Sequence, residues 1–278
     1  MKYKIIKGTF RVTGYVPGGD CIRFSAANDE NWDYFDWGKR RQPKRKQLRL
    51  EAINTPEIYY RGFHQPYPVG FAALEAMLEL IGIRDAVFNL SLSRIHSAKD
   101  DTEGFIACQA LDLFACPVSL IFANDAPLQD GDEISLADLP LEQCINVKLA
   151  RMGLAYPTFY NTTEGDLIDL FSTIAAASRK AKLGLWELDK TSDFVLKDVS
   201  TVTDDIMIFP KLFRRLVAFF HARSSFAHLA SFLAHEEDRV LVKSTGQTVY
   251  WTDLLVVEDG NIRFPYTPED MIFEPRDR

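Results

Sequence analysis

The chain has 278 residues, of which 47% are hydrophobic, 26% charged and 12% aromatic. That is a globular composition long enough for about two domains, and it excludes a disordered or fibrous chain. Its 32 Lys and Arg against 39 Asp and Glu leave a net charge of −7, so there is no global positive field toward nucleic acid or anionic lipid, and a polyanion must be met by a local patch.

Cys21, Cys108, Cys116 and Cys144 form no CxxC pair and have no zinc spacing with histidine, which predicts reduced structural thiols. The opening MKYKIIKGTF has no apolar signal core, and the apolar run over residues 114–123 falls short of the roughly 20 residues of a membrane span. A soluble, cytoplasmic protein with no membrane partner is expected.

Residues 4–12 and 21–24 read as a hairpin around the turn signal Pro17-Gly18-Gly19-Asp20. Residues 25–47 are polar and predict a long exposed loop, after which residues 48–53 resume strand character until Asn54-Thr55-Pro56 stops it. Phe71, Leu74, Met77, Leu78 and Ile81 recur at spacings of three and four, which predicts an amphipathic helix over residues 71–81 ended by Gly82. Residues 87–95 and 105–122 return to strand-like patterning. Helices are expected over 141–152, ended by Gly153, and over 163–183, where Leu167, Leu170, Phe171 and Ile174 form one stripe. Glu164 and Asp166 near the start of the latter and Arg179, Lys180 and Lys182 near its end suit the helix dipole. A polar stretch from residue 190 marks the expected domain boundary. Beyond it the pattern predicts helices at 210–221 and 226–234, then strands at 240–243, 248–252, 254–258 and 262–264, with Asp259-Gly260 as a hairpin turn.

Five segments occur in order: GYVPGGDCIRF at 14–24, LRLEAINTPE at 48–57, DTEGFIA at 101–107, CINVKLARMGLA at 144–155 and RKAKLGLW at 179–186. As an ordered set they resemble the staphylococcal-nuclease-like, or thermonuclease, family, whose pattern runs DGDT, RLxxIDTPE, DxYGRxLA, VNxxLVxxGxA and KxxxLGxW. The resemblance spans residues 8–188, with inserts at 25–47 and about 110–139. It implies an α+β fold in which residues 1–189 form a five-stranded OB-type β-barrel with flanking helices. Residues 190–278 are left as a small C-terminal α+β accessory domain. In active members the family hydrolyses DNA and RNA phosphodiesters with calcium.

Such hydrolysis needs a cation or arginine to offset charge building on the phosphoryl oxygens, and a carboxylate to activate water. By the resemblance Asp20 is a direct metal ligand, Arg49 holds the scissile phosphate, and Glu57 is the general base beside the metal. Taken alone, Asp20 would be an ordinary turn aspartate after two glycines. Asn54 stands where the family has its second metal-ligating aspartate; it still offers a carbonyl oxygen, so Ca2+ is expected to be weakly bound or absent. Phe105 stands where the pattern has its second arginine, and losing one donor of that kind costs about 10² to 10³ in rate. Arg94 and Arg61 are candidates to supply a guanidinium from elsewhere.

Lys39, Arg40, Arg41, Lys44, Arg45 and Lys46 place six positive charges in eight residues, preceded by Trp32, Tyr34, Phe35 and Trp37. Charge tracks a phosphate backbone and aromatics stack on bases, so this insert is a candidate nucleic-acid contact; its rivals are a solvated loop tip and a contact with an acidic protein surface. Phe159 and Tyr160 stand where the resemblance puts base-stacking tyrosines, with core packing as the rival. His221, His228 and His235 recur every seven residues, about 10.5 Å of helix, too far apart to share one ion. The leading expectation is a thermonuclease-like protein that binds nucleic acid, with hydrolysis weak or lost. Its rivals are an active calcium-dependent nuclease with a rewired arginine clamp, and a protein-interaction adaptor in which the barrel and the C-terminal module both bind partners.

Overall fold

The computed structural model describes residues 1–15, 18–38, 42, 44–123, 126–222, 225–234 and 238–274. The chain divides into two compact units, the first made of Met1–Glu51 and Ala73–Leu149, the second of Ala52–Ala72 and Ala150–Arg278.

Unit 1 is built on β1 (Tyr3–Arg11), β2 (Cys21–Ala26), β3 (Lys46–Leu50), β4 (Thr102–Leu111) and β5 (Pro117–Phe122). These strands hydrogen-bond in the ring order β1-β2-β3-β5-β4, and the ring closes because β1 pairs with both β2 and β4. The β3–β5 pair is parallel and the others antiparallel. Closure leaves the five strands no open edge. The fold is thus mixed α+β around a closed five-stranded barrel, consistent with an OB-type barrel. Alternation along each strand fills the interior: Phe10, Phe24, Leu48, Phe105 and Phe122 have no more than 1% of their surface exposed.

The described part of residues 25–47 departs from the exposed loop that its polarity predicts: it is tied down at Trp32, Phe35 and Lys46, while residues 27–30, 33, 34, 36, 38, 44 and 45 are exposed. Asn28 caps a short 3-10 helix, Asp29–Tyr34, by accepting the Glu30 N–H at 3.1 Å. Trp32 is fully buried, with its ring edge-on to Phe24 at 6.4 Å, and Phe35 is buried beside it. The aromatic residues interleaved in the polar run anchor the insert to the barrel, because their burial outweighs the polar tendency of their neighbours.

Helix α1 (Tyr67–Ile81) begins four residues before its expected start and ends at Gly82, whose φ is +86°. In place of one strand over 87–95 there is a hairpin, Arg84–Phe88 with Ile95–Lys99. The helix expected over 141–152 is a 3-10 turn, Leu141–Gln143, followed by α2 (Ile145–Arg151). No helix of the described residues is long and apolar enough to cross a membrane.

Unit 2 contains α3 (Gly165–Lys180), α4 (Pro210–His221) and α5 (Leu229–Leu233). One of its sheets runs in the order Phe159–Tyr160, Met271–Phe273, Arg239–Val242, Gln247–Tyr250; another joins Asp193–Val195, Asn261–Arg263 and Val256–Glu258. The Asp259-Gly260 turn closes the last hairpin with both residues at positive φ, +48° and +81°, as a two-residue loop matched to strand twist requires. Tyr156, Ala175, Leu185 and Trp186 share one core with Phe209, Phe213, Val240, Trp251, Phe264 and Phe273. The compact unit therefore differs from the division expected at residue 190: a cut there would pass through this core, and the polar stretch just after it contains the strand Asp193–Val195.

Candidate functional site

In unit 1, strand alternation turns Lys46, Leu48 and Leu50 inward and leaves Arg49 on the outer face, between its register partners Cys21 and Val118. Its side chain is 48% exposed, with Nε 3.7 Å from Oδ2 of Asp112. Partial burial pulls the Arg49 pKa down, but the negative charges of Asp20 and Asp112 oppose it and the net shift is upward. Asp20 borders the same face, and its backbone carbonyl accepts the Leu50 N–H at 2.9 Å. Sequence reasoning missed Asp112, whose Oδ1 accepts the N–H groups of Phe114 and Cys116 at 2.8 Å each and folds the β4–β5 turn. The signal available was an aspartate just before a short turn between two apolar runs.

Phe105 faces the barrel interior, 1% exposed, its ring stacked on Phe122 at 4.5 Å. A guanidinium at this position would be buried in the barrel. Arg94 is exposed in a hairpin turn, where its N–H donates to Asn89 Oδ1 at 3.0 Å. Cys108 and Cys144 are fully buried, which pushes both thiols up to about 12, and none of the four cysteines forms a disulfide.

Asn54 and Glu57 belong to unit 2. Asn54 is buried in the two-residue strand Ile53–Asn54, paired antiparallel with Tyr156–Pro157. Glu57 follows the Thr55-Pro56 turn, and its Oε1 accepts a hydrogen bond from Arg214 Nη1 of α4 at 2.5 Å. Gln65, with no exposed surface, fixes this segment: its N–H donates to the Glu57 carbonyl at 2.7 Å, its Oε1 accepts the Glu57 N–H at 3.0 Å, and its Nε2 donates to the Ile208 carbonyl at 2.7 Å. Arg61 stands at φ +52°, its guanidinium 5.6 Å from the Tyr60 ring centre and its carbonyl accepting from His221 Nε2 at 2.9 Å. The described bonds place Arg214 on Glu57.

Lys39, Arg40 and Arg41 of the basic insert lie outside the described residues, as does His235. Lys44 and Arg45 are exposed. Lys46 corrects its expected role: it is 1% exposed, with Nζ 4.8 Å from the Trp32 ring centre and 5.1 Å from that of Trp37. Burial lowers its pKa against the opposing field of Asp29 and Asp33. The same inward parity that buries Leu48 carries Lys46 into an aromatic box, so it braces the insert and presents no ammonium to a phosphate. Phe159 is likewise fully buried, which is the core-packing alternative, while Tyr160 keeps 40% of its surface exposed.

Among the described residues no three His, Cys, Asp or Glu side chains gather as a metal set. Of the groups nominated for calcium, Glu57 is engaged by a guanidinium, Asn54 is neutral and buried, and Asp20 lies in the field of Arg49. No protein-family model matches the chain, and no curated protein matches it either.

Proposed function

We propose that the chain is a thermonuclease-like protein that binds nucleic acid, with phosphodiester hydrolysis weak or lost. The observation that supports it best is Arg49, held outward on a closed five-stranded barrel with its side chain 48% exposed, with exposed Lys44 and Arg45 just ahead of it on the run into β3. A cluster of this kind attracts a phosphate backbone locally despite the net charge of −7. Weak or absent hydrolysis follows from two features: an aromatic ring in the core at position 105 and a neutral buried amide at 54. No catalytic step is assigned to a metal.

Fluorescence anisotropy with labelled single- and double-stranded DNA and RNA over a salt series tests the reading. Binding is expected to fall with salt at a slope of about −0.7 per contacted phosphate on single strands and about −0.9 on duplex. Replacing Lys39, Arg40, Arg41, Lys44 and Arg45 with Ser should flatten that slope, and chelation of divalent cations should leave it unchanged. Salt-insensitive or absent binding would sink the proposal in favour of a protein-interaction adaptor. Cleavage assays with calcium, magnesium, manganese or chelator form the second arm: metal-dependent turnover abolished by Glu57→Ala and Arg49→Ala would make the protein an active nuclease.

A further inference from the structure

Helix α4 follows from its sequence as an amphipathic helix started by Pro210, with Leu212, Phe213, Leu216, Val217 and Phe219 buried. Its two adjacent arginines diverge. Arg215 lies with its guanidinium 5.9 Å from the Trp251 ring centre, whereas Arg214 runs to Glu57 and keeps 30% of its side chain exposed. Three bonds fasten this helix along residues 57–65: Gln65 Nε2 to the carbonyl of Ile208 just before the helix, Arg214 to Glu57 in its middle, and His221 Nε2 to the carbonyl of Arg61 at its end. The backbone that carries Arg214 is therefore fixed on both sides of the residue, and a ligand meeting the guanidinium would not have to order it.

The ion pair differs in kind from another in the same unit. Arg179 meets Glu269 through two parallel bonds of 2.6 Å each, so both nitrogens of its fork face both carboxylate oxygens. Arg214 uses Nη1 alone toward the described residues. A guanidinium carries five N–H donors in a plane suited to a phosphate's oxygens, and among the described residues Arg214 commits one of its nitrogens to Glu57 while 30% of its side chain stays exposed.

We propose that α4 supplies Arg214 as a phosphate-contacting residue for nucleic acid, and that Glu57 is the internal anion that occupies it when nucleic acid is absent. The inference rests on the nucleic-acid-binding reading above and extends it to residues 190–278, for which the resemblance implies no role. Exchange of one oxyanion for another at Arg214 has a signature that a purely structural ion pair lacks: removing the two partners shifts affinity in opposite directions.

The test uses the full chain and a short fluorescein-labelled single strand, followed by anisotropy over a salt series, with a thermal melt of each variant. Arg214→Ala is expected to weaken binding at least 5-fold and to reduce the salt slope by about 0.7, the value of one phosphate contact. Arg214→Lys should recover part of the loss, and Glu57→Gln should tighten binding severalfold by removing the competing charge. Wild-type binding with an Arg214→Ala variant of equal affinity and slope overturns this inference and leaves the broader reading standing. Weakening in both Arg214→Ala and Glu57→Gln, in step with their melting temperatures, overturns it as well, since the pair would then be a structural brace. Absence of salt-sensitive binding by the wild type removes the broader reading, and this inference with it.

Discussion

Asn146 concentrates four bonds in one buried side chain, one of them from the Cys144 thiol to its Oδ1 at 3.6 Å. Its Oδ1 accepts the Ile121 N–H at 3.1 Å, and its Nδ2 donates to the carbonyls of Glu51 and Ser119 at 3.0 Å each, tying the first turn of α2 to β5 and to the end of β3. A buried polar group left without its partner costs about 1–3 kcal/mol, so Asn146→Ala should lower unfolding stability by about 3 kcal/mol or more. Urea denaturation measures this, and a loss below about 1 kcal/mol would refute the role. The residue was visible in the CINVKLARMGLA segment, but most of its partners were not, because Ser119 and Ile121 lie in β5 and Glu51 just after β3. Lys46 was more legible: counted by charge it belongs with Arg45, but counted by strand parity from Leu48 it points inward.

At the scale of elements, the helices with long apolar stripes and terminal signals were readable from the chain. The expected 210–221 coincides with α4, where Pro210 sits at the first turn and the stripe is continuous. Pieces defined by pairing alone were not readable: Ile53–Asn54 and Tyr156–Pro157 are two residues each and exist as strands only because they face one another. Phe159–Tyr160 likewise acquires strand geometry from Met271–Phe273, far along the chain. Helix ends show how closely such pieces meet. Gly153 and Gly184 stand at φ +70° and +53°, and a Cβ on either would come within 2.4 Å of a carbonyl oxygen, that of Leu183 or Gly153 respectively. Both strain and collision oppose a side chain there, so Gly153→Ala should destabilise by about 2 kcal/mol or more. A thermal melt unchanged within about 2 °C would show that the contact relaxes freely.

At the scale of the whole molecule, both compact units are discontinuous in sequence. The core that joins Tyr156 and Trp186 to Phe209, Phe213 and Phe264 predicts the fate of a fragment ending at residue 189. It would expose aromatic surface that residues beyond 189 normally cover, and should bind a hydrophobic dye and lose the near-ultraviolet circular dichroism of Tyr156 and Trp186, while the barrel unit, complete within it, still unfolds cooperatively. A soluble fragment with native near-ultraviolet circular dichroism would contradict that. The sequence by itself determined the principal barrel strands, the long helices and the Asp259-Gly260 hairpin, since periodicity, caps and turn chemistry act over a few residues. Tertiary structure alone decided that Glu57 meets Arg214, 157 positions away, that Lys46 is boxed by tryptophans, and that the core runs across residue 190. Those outcomes depend on which distant surfaces bury one another, and no local pattern encodes that choice.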